Sequence, residues 1–310
     1  MSATATSPVY ASPSVRRLAR VREVDLASVP GSGRKGRIVK ADVEGFIDRG
    51  GVSPSPDGPW LDGHGIEMAP WPSLEFERFG PIERVARGRI AKISAPSLAR
   101  NWVMIPHVTH NDECDVTELE AWRRELNGQV AGDGVKLTML AFLVLACVAT
   151  LKQLPDFNSS LDGDELVLKR YYNIGFAADT PGGLVVPVIK QADRKGLLEV
   201  ARELGTLSAR AREGKLGPGD MQGGTFTISS LGGIGGTSFT PIVNAPEVAI
   251  LGATRAAIKP VWNPDAHEFA PRLMLPLSLS YDHRLIDGAA AARFVAQLAS
   301  VLSDLRRVLL

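Results

Sequence analysis

Leu273-Met274-Leu275-Pro276-Leu277-Ser278-Leu279-Ser280 runs without a break into Tyr281-Asp282-His283-Arg284-Leu285-Ile286-Asp287-Gly288, and residues 289–305 follow as an amphipathic helix-like stretch. The order is strand, turn, helix. It puts His283 on a turn at a strand's end, where a side chain is held firmly yet reaches a ligand. A neutral imidazole, with an ordinary pKa near ~6.5, is a base at neutral pH, and a thiol near ~8.5 is a well-matched proton source. Asp287 lies close enough to influence the turn or the ring, and Asp282 and Arg284 can pair locally. By spacing alone, a structural histidine capping the turn is the better reading. Either way, the segment belongs to an α/β domain.

Upstream, further strands are expected at residues 172–178, 184–189, 225–229 and 248–253, and helices at 117–126, 137–153 and 197–213. Asp179-Thr180-Pro181-Gly182-Gly183 reads as a turn between two strands. These elements make residues 81–310 one large α/β domain with a mixed sheet. Residues 49–80 are rich in Pro and Gly and read as a linker. Its later part carries Trp60, Met68, Trp71, Leu74, Phe76 and Phe79, which are expected to lie along the surface of the next domain. Residues 12–48 hold two short helices around Pro30-Gly31-Ser32-Gly33-Arg34-Lys35-Gly36, with Ser14 as a cap for the first and Val43, Phe46 and Ile47 on the second. A core that small suits a docking module better than an enzyme. Residues 1–11 read as a disordered start.

Residues 225–236, Thr225-Phe226-Thr227-Ile228-Ser229-Ser230-Leu231-Gly232-Gly233-Ile234-Gly235-Gly236, carry a strand into hydroxyls and then glycines. Glycines let a backbone approach a ligand closely, and a serine hydroxyl can donate to a developing oxyanion. A glycine-rich hairpin is the better reading of this segment alone. No Gly-x-Ser-x-Gly surrounds either serine, so it is not a hydrolase elbow. Residues 31–36 match Gly-x-Gly-x-x-Gly but lack the surrounding strand-helix-strand unit, so a tight turn presenting Arg34 and Lys35 is preferred to a dinucleotide site. His107 and His110 have no further ligands at metal spacing and read as strand or pocket-lining residues; no metal site is expected.

The 310 residues carry 35 Lys and Arg against 34 Asp and Glu, a formal net charge of +1. That balance gives no bulk attraction to nucleic acid or to an anionic membrane. No export signal is visible at the start, and the most apolar run, residues 137–151, is too short to span a bilayer. The two cysteines, Cys114 and Cys147, form no ligand pattern and fit a reduced, cytoplasmic setting.

Several ordered segments together resemble a known family: residues 100–109 (Arg100-Asn101-Trp102-Val103-Met104-Ile105-Pro106-His107-Val108-Thr109), Phe157-Asn158-Ser159-Ser160, Gly183-Leu184-Val185-Val186-Pro187-Val188, Thr240-Pro241-Ile242-Val243-Asn244-Ala245-Pro246-Glu247 and residues 282–288. They resemble the catalytic domain of dihydrolipoamide acetyltransferases, the acyltransferase components of 2-oxo acid dehydrogenase complexes. The fold this implies is similar to that of chloramphenicol acetyltransferase. Ser12-Pro13-Ser14-Val15-Arg16-Arg17-Leu18-Ala19 and Gly33-Arg34-Lys35-Gly36-Arg37-Ile38 resemble the peripheral-subunit-binding domain of the same complexes.

The resemblance implies roles. His283 is the general base, Ser229 stabilises the oxyanion and Asp287 supports the site. Trimers, or a larger cubic assembly to which Val308-Leu309-Leu310 can contribute, place Ser229 of one copy opposite His283 and Asp287 of the next. Ser230, Gly232, Gly233, Asn244 and Pro246 lie near CoA, which is a substrate and not a bound cofactor. Arg16, Arg34, Lys35 and Arg37 meet a dehydrogenase partner. The family's lipoyl domain is not expected in this chain, so the acceptor comes from elsewhere. The favoured reading is therefore acetylation of a small-molecule hydroxyl from acetyl-CoA, as in similar lipoyl-less enzymes of tetronate polyketide pathways. The alternatives are a core acetyltransferase of a pyruvate or other 2-oxo acid dehydrogenase complex served by lipoyl domains in trans, and a non-catalytic assembly scaffold.

Overall fold

The computed structural model describes residues 10–22, 24–48, 72–130, 132 and 134–304. The chain divides between Ile82 and Glu83 into two units. The expected start at 1–11 lies almost wholly outside the described residues, as do Trp60, Met68 and Trp71 of the linker and Val308-Leu309-Leu310. Leu74, Phe76 and Phe79 are exposed.

In the first unit, α1 (Pro13–Val21) and α2 (Lys40–Asp48) enclose Val15, Ala19, Val24, Val29, Ile38 and Val43. Ser12, not Ser14, caps α1: its hydroxyl accepts from the Val15 N–H at 3.3 Å, and Pro13 occupies the first helical position, where a missing N–H costs nothing. The glycine loop is a tight turn, as expected. Gly36 N–H donates to Gly33 O, and Lys35 and Gly36 both have positive φ. A side chain at Gly31 would sit 2.3 Å from the Gly36 carbonyl oxygen, so only glycine fits there. Asp42 Oδ2 accepts from the N–H groups of Ser32 and Val39, each at 2.9 Å, and ties the loop to α2.

The second unit is α/β with a mixed sheet, the class the sequence implies. Its described strands are β1 (His107–Asp115), β2 (Ser159–Asp162), β3 (Glu165–Leu168), β4 (Ile174–Phe176), β5 (Val188–Ile189), β6 (Phe226–Ser230), β7 (Ala249–Ala253), β8 (Ala257–Asn263) and β9 (Glu268–Asp282). The main sheet runs β1-β9-β7-β6-β4-β5, with β8 on the first half of β9; β2 and β3 form a separate hairpin. β4, β6 and β7 are parallel, while β9 is antiparallel to both β7 and β1. The helices are α3 (Arg89–Met104), α4 (Thr117–Gln129), α5 (Met139–Gln153), α6 (Leu197–Arg212) and α7 (Gly288–Ser303).

α5 is apolar on all sides and buried along most of its length, which makes it the central helix. α6 and α7 are amphipathic and bury one stripe each, Val200, Leu204, Leu207 and Ala211 on one and Phe294, Leu298 and Val301 on the other. Strand alternation then divides the sheet. Leu275, Leu277, Leu279 and Tyr281 of β9, with Phe226 and Ile228 of β6, join the helical core. Ser278, Ser280, Thr227 and Ser229 alternate with them and belong to the opposite, polar face.

Several expected strands differ in extent. Of the strand expected at 184–189, only Val188–Ile189 pair as a strand; Pro187 has no N–H to contribute, although its carbonyl accepts the Phe176 N–H, and Val185 makes an isolated bridge to Ala178. β9 begins five residues earlier than expected because β8, a strand the sequence reading omits, supports it. Pro260 in β8 faces Pro271 and masks the strand pattern there. The segment after β6 is not a hairpin: β6 pairs parallel with β7, so the glycines turn the chain away from the strand. α3, with Pro96 inside it and only Asn101 buried, also escapes the sequence reading.

Candidate functional site

The turn after β9 is organised by Asp282. Its side chain is nearly buried, at 3% relative exposure for the residue. Its carboxylate accepts the Arg284 N–H at 3.1 Å and is bridged by that residue's guanidinium at 2.6 and 2.9 Å, so the local pair expected from sequence forms. Its hydrogen bonds to the Asp282 carboxylate hold the Arg284 guanidinium above its usual pKa. Leu285 and Ile286 N–H groups both donate to the Asp282 carbonyl at 3.0 Å. Between these anchors, His283 donates its own N–H to Pro106 O at 3.1 Å and leaves its imidazole exposed. The Tyr281 ring lies 5.9 Å away, centroid to centroid.

Asp287 is the N-cap of α7: its Oδ1 accepts from the Ala290 N–H at 2.7 Å. Burial first, and the nearby Asp287 charge second, push the Tyr281 phenol above its usual pKa. Asp287, Tyr281 and His283 therefore share one end of β9.

Ser229 lies at the other end of the sheet. It is registered with Gly252, and Gly252 with Ser278, five residues before His283 along β9. At about 3.4 Å per residue that is roughly 17 Å along the strand, before the lateral spacing of two strands is added. A single chain does not bring Ser229 and His283 together. Ser229 is half-buried, Ser230 and Gly233 are exposed, and Gly232 is half-buried. The lack of a side chain at Gly252 admits the Phe239 ring, whose atoms would lie 2.7 Å from an added Cβ. The Phe239 N–H donates to Ser278 Oγ at 3.4 Å, so the chain after the glycine turn returns over the polar face.

That returning chain reaches Asn244 and Pro246, both exposed, and then Glu247, which is buried. Asn244 Nδ2 donates to Glu247 Oε1 at 3.2 Å, while Glu247 Oε2 and the buried Thr227 hydroxyl have no hydrogen-bond partner among the described residues. Burial pushes the Glu247 carboxyl up to about 7, against the opposing pull of the Asn244 hydrogen bond and the Lys169 charge. Lys169 is held below its usual pKa by burial and donates to Ser159 O at 3.0 Å. Sequence reading left Glu247 out of the site; an acidic residue directly before the apolar strand Val248–Ala253 was the available signal.

His107 is a strand residue, as expected, and both its ring nitrogens are engaged: Nδ1 with Ile105 O at 2.8 Å and Nε2 with the Val243 N–H at 2.9 Å. No group of three or more His, Cys, Asp or Glu among the described residues is placed to hold a metal ion. Among them, too, no helix is long and apolar enough to cross a membrane. In the first unit, Arg16, Arg34, Lys35 and Arg37 are all exposed.

An exposed strand-end histidine on a mixed sheet, in a unit preceded along the chain by a small helical one, is the arrangement to which the family models assign an acyltransferase catalytic domain and an accessory binding domain. The chain belongs to the 2-oxoacid dehydrogenases acyltransferase family, whose catalytic-domain model matches residues 80–310; an e3 binding domain model matches residues 9–44. It is 58% identical over 307 residues to the dihydrolipoyllysine-residue acetyltransferase component of the pyruvate dehydrogenase complex of Cupriavidus necator, covering 97% of this chain and 55% of that one. A crystal structure of Azotobacter vinelandii dihydrolipoamide acetyltransferase, studied for a serine, a histidine and an asparagine in its catalytic mechanism, superposes with a TM-score of 0.76 at 54% identity, over 78% of this chain and all of that one. The cubic core of a pyruvate dehydrogenase multienzyme complex matches with the same TM-score at 55% identity, over 78% of this chain and all of that one. The chain spans about half the length of the curated relatives it matches at 50–58% identity.

One expectation is overturned. Acetylation of a small-molecule hydroxyl was favoured, yet the relatives that match at 50–58% identity over nearly the whole chain are pyruvate dehydrogenase acetyltransferase components. Nothing among them supports a tetronate polyketide pathway. The error has a physical root: a histidine base serves thiols and alcohols alike, so the acceptor is not written in the base.

Proposed function

We propose that this chain supplies the acetyltransferase core of a pyruvate dehydrogenase-type complex and moves an acetyl group between CoA and a dihydrolipoyl thiol. The observation that carries the reading is the 58% identity that runs through nearly the whole chain to a relative of that name. His283 takes the proton of the attacking thiol. The thiolate adds to the thioester carbonyl, and the Ser229 hydroxyl donates to the oxyanion. Collapse expels the other thiolate, which recovers the proton from the imidazolium. Asp287 caps α7 and holds the turn that presents the base. In the relative studied for catalysis, the asparagine stands four positions after the histidine; Asp287 stands at that offset from His283.

Because Ser229 and His283 are far apart within one chain, the active site forms between copies. The exposed Ile93, Leu98, Trp102 and Val103 of α3 support such assembly, since this much exposed apolar surface on one helix favours covering partners. CoA lies near Ser230, Gly232, Gly233, Asn244 and Pro246. Arg16, Arg34, Lys35 and Arg37 present positive charge to a dehydrogenase subunit.

The test is acetyl transfer from acetyl-CoA to free dihydrolipoamide. His283→Ala is expected to lower kcat by at least ~100-fold with the assembly intact, and Ser229→Ala by on the order of 100-fold. Wild-type turnover in a folded His283→Ala protein removes the base from the mechanism. No transfer to dihydrolipoamide by the wild-type protein ends the reading itself.

A further inference from the structure

Val243 is the most thoroughly tethered residue of the segment that crosses the polar face. Its N–H donates to His107 Nε2 at 2.9 Å, and its carbonyl accepts from Asn101 Nδ2 at 2.9 Å. The Asn101 amide cannot flip, because its Oδ1 accepts from both Arg100 Nε and Nη2, at 3.2 and 2.9 Å. The Val243 side chain is buried with Ile105 and Ile250.

The backbone donor settles the tautomer of His107. A ring nitrogen that accepts from an N–H carries no proton, so Nδ1 bears the hydrogen and donates to Ile105 O at 2.8 Å. Trp102 stacks on the same ring at 5.5 Å and 28°. One imidazole thus joins the end of α3, the start of β1 and the returning chain. Its position in the sheet adds the last link. His107 is registered with Asp282, and Pro106 accepts the His283 N–H. On the other side, Val243 leads directly into Asn244, Ala245 and Pro246, and Ser160 Oγ holds the Pro246 carbonyl.

We propose that His107 is a positioning residue for acyl transfer: locked as its Nδ1–H tautomer, it couples the backbone of the His283 turn to the Asn244–Glu247 segment and sets the geometry of both. This rests on the acetyl-transfer reading given above. His107 does not touch the reacting atoms; it acts through Val243 on one side and Pro106 on the other.

Three substitutions separate the bonds. His107→Ala loses both. His107→Asn keeps a donor near Nδ1 but falls short of Val243. His107→Gln brings an amide oxygen to where Nε2 was, able to accept from the Val243 N–H. Each is measured for kcat with acetyl-CoA and free dihydrolipoamide, and for peptide hydrogen exchange over residues 243–247 and 281–286 in the intact assembly. His107→Ala and His107→Asn are expected to lose about 10- to 100-fold in kcat and to exchange faster in both peptides. His107→Gln is expected to recover most of the rate and the protection at 243–247, because it restores the bond that matters. Should the alanine variant fail to fold, the Asn and Gln pair decides alone.

Wild-type exchange in both peptides of a folded His107→Ala or His107→Asn protein overturns the coupling. Faster exchange with wild-type kcat overturns the positioning role. A wild-type protein that transfers no acetyl group refutes the function reading instead, and the exchange data still decide whether the coupling exists.

Discussion

At the scale of single residues, the polar groups that shape the site act through position. Asp282 is the clearest case: its carboxylate and carbonyl together hold Arg284, Leu285 and Ile286 of the turn, so His283 is presented without any hydrogen bond to its own ring among the described residues. Asp287 contributes as a cap. Asp287→Ala is expected to cost about 0.5–2 kcal/mol in urea unfolding, and Asp287→Asn much less, because asparagine caps equally well. Glu247 works in the opposite sense, as a stability cost. Its folded carboxyl titrates at about 7 against an ordinary 4.5. Between these values the unfolded chain releases a proton that the folded chain keeps, so stability falls as pH rises through that window and levels off above it. The total is on the order of 3 kcal/mol. Glu247→Gln should therefore match the wild type near pH 4 and exceed it at pH 8. Urea midpoints at the two pH values check this, and an unchanged pH slope assigns the titration to other groups.

At the scale of elements, β9 carries most of the organisation. Its first half pairs with β8, and its second half lies between β1 and β7. The same strand sends leucines to the helices and serines to the polar face, so one element builds core and site together. Gly252 of β7 is the tightest point on that polar face, since the Phe239 ring occupies the space a side chain would need. Gly252→Ala is expected to displace Phe239 and the chain that follows it. The cost should be about 1–3 kcal/mol of stability, with reduced acetyl transfer. Denaturation and turnover of the purified variant check both, and full stability would mean that the ring moves aside freely.

At the scale of the whole molecule, the separation of Ser229 from His283 makes a prediction that no single-chain site shares. Ser229→Ala and His283→Ala proteins, each nearly inactive alone, are mixed under conditions that exchange subunits or are co-expressed. Every Ser229→Ala copy still supplies a base, and every His283→Ala copy still supplies a hydroxyl. Random mixing in a cyclic assembly restores roughly a quarter of the sites. Recovered turnover on that scale supports a shared site, whereas mixed assemblies as inactive as the parents rule it out.

Much of this was legible in the residue order because it depends on local pattern. Strand-turn-helix around His283, the tight turn at residues 31–36 and the all-round apolar α5 follow from periodicity, glycine and proline placement, and composition. Proline hid β8 and the true start of β9, because a missing N–H argues against a strand until a partner is seen to tolerate it. What only the tertiary structure decided is which groups share a face or a neighbour. Glu247 is buried, His107 is locked in one tautomer by Val243, and Ser229 is distant from the His283 of its own chain. Those facts arise from contacts between residues tens to more than a hundred positions apart. Local sequence encodes a residue's preferences, whereas desolvation and hydrogen-bond partnership exist only once the chain has brought distant segments together.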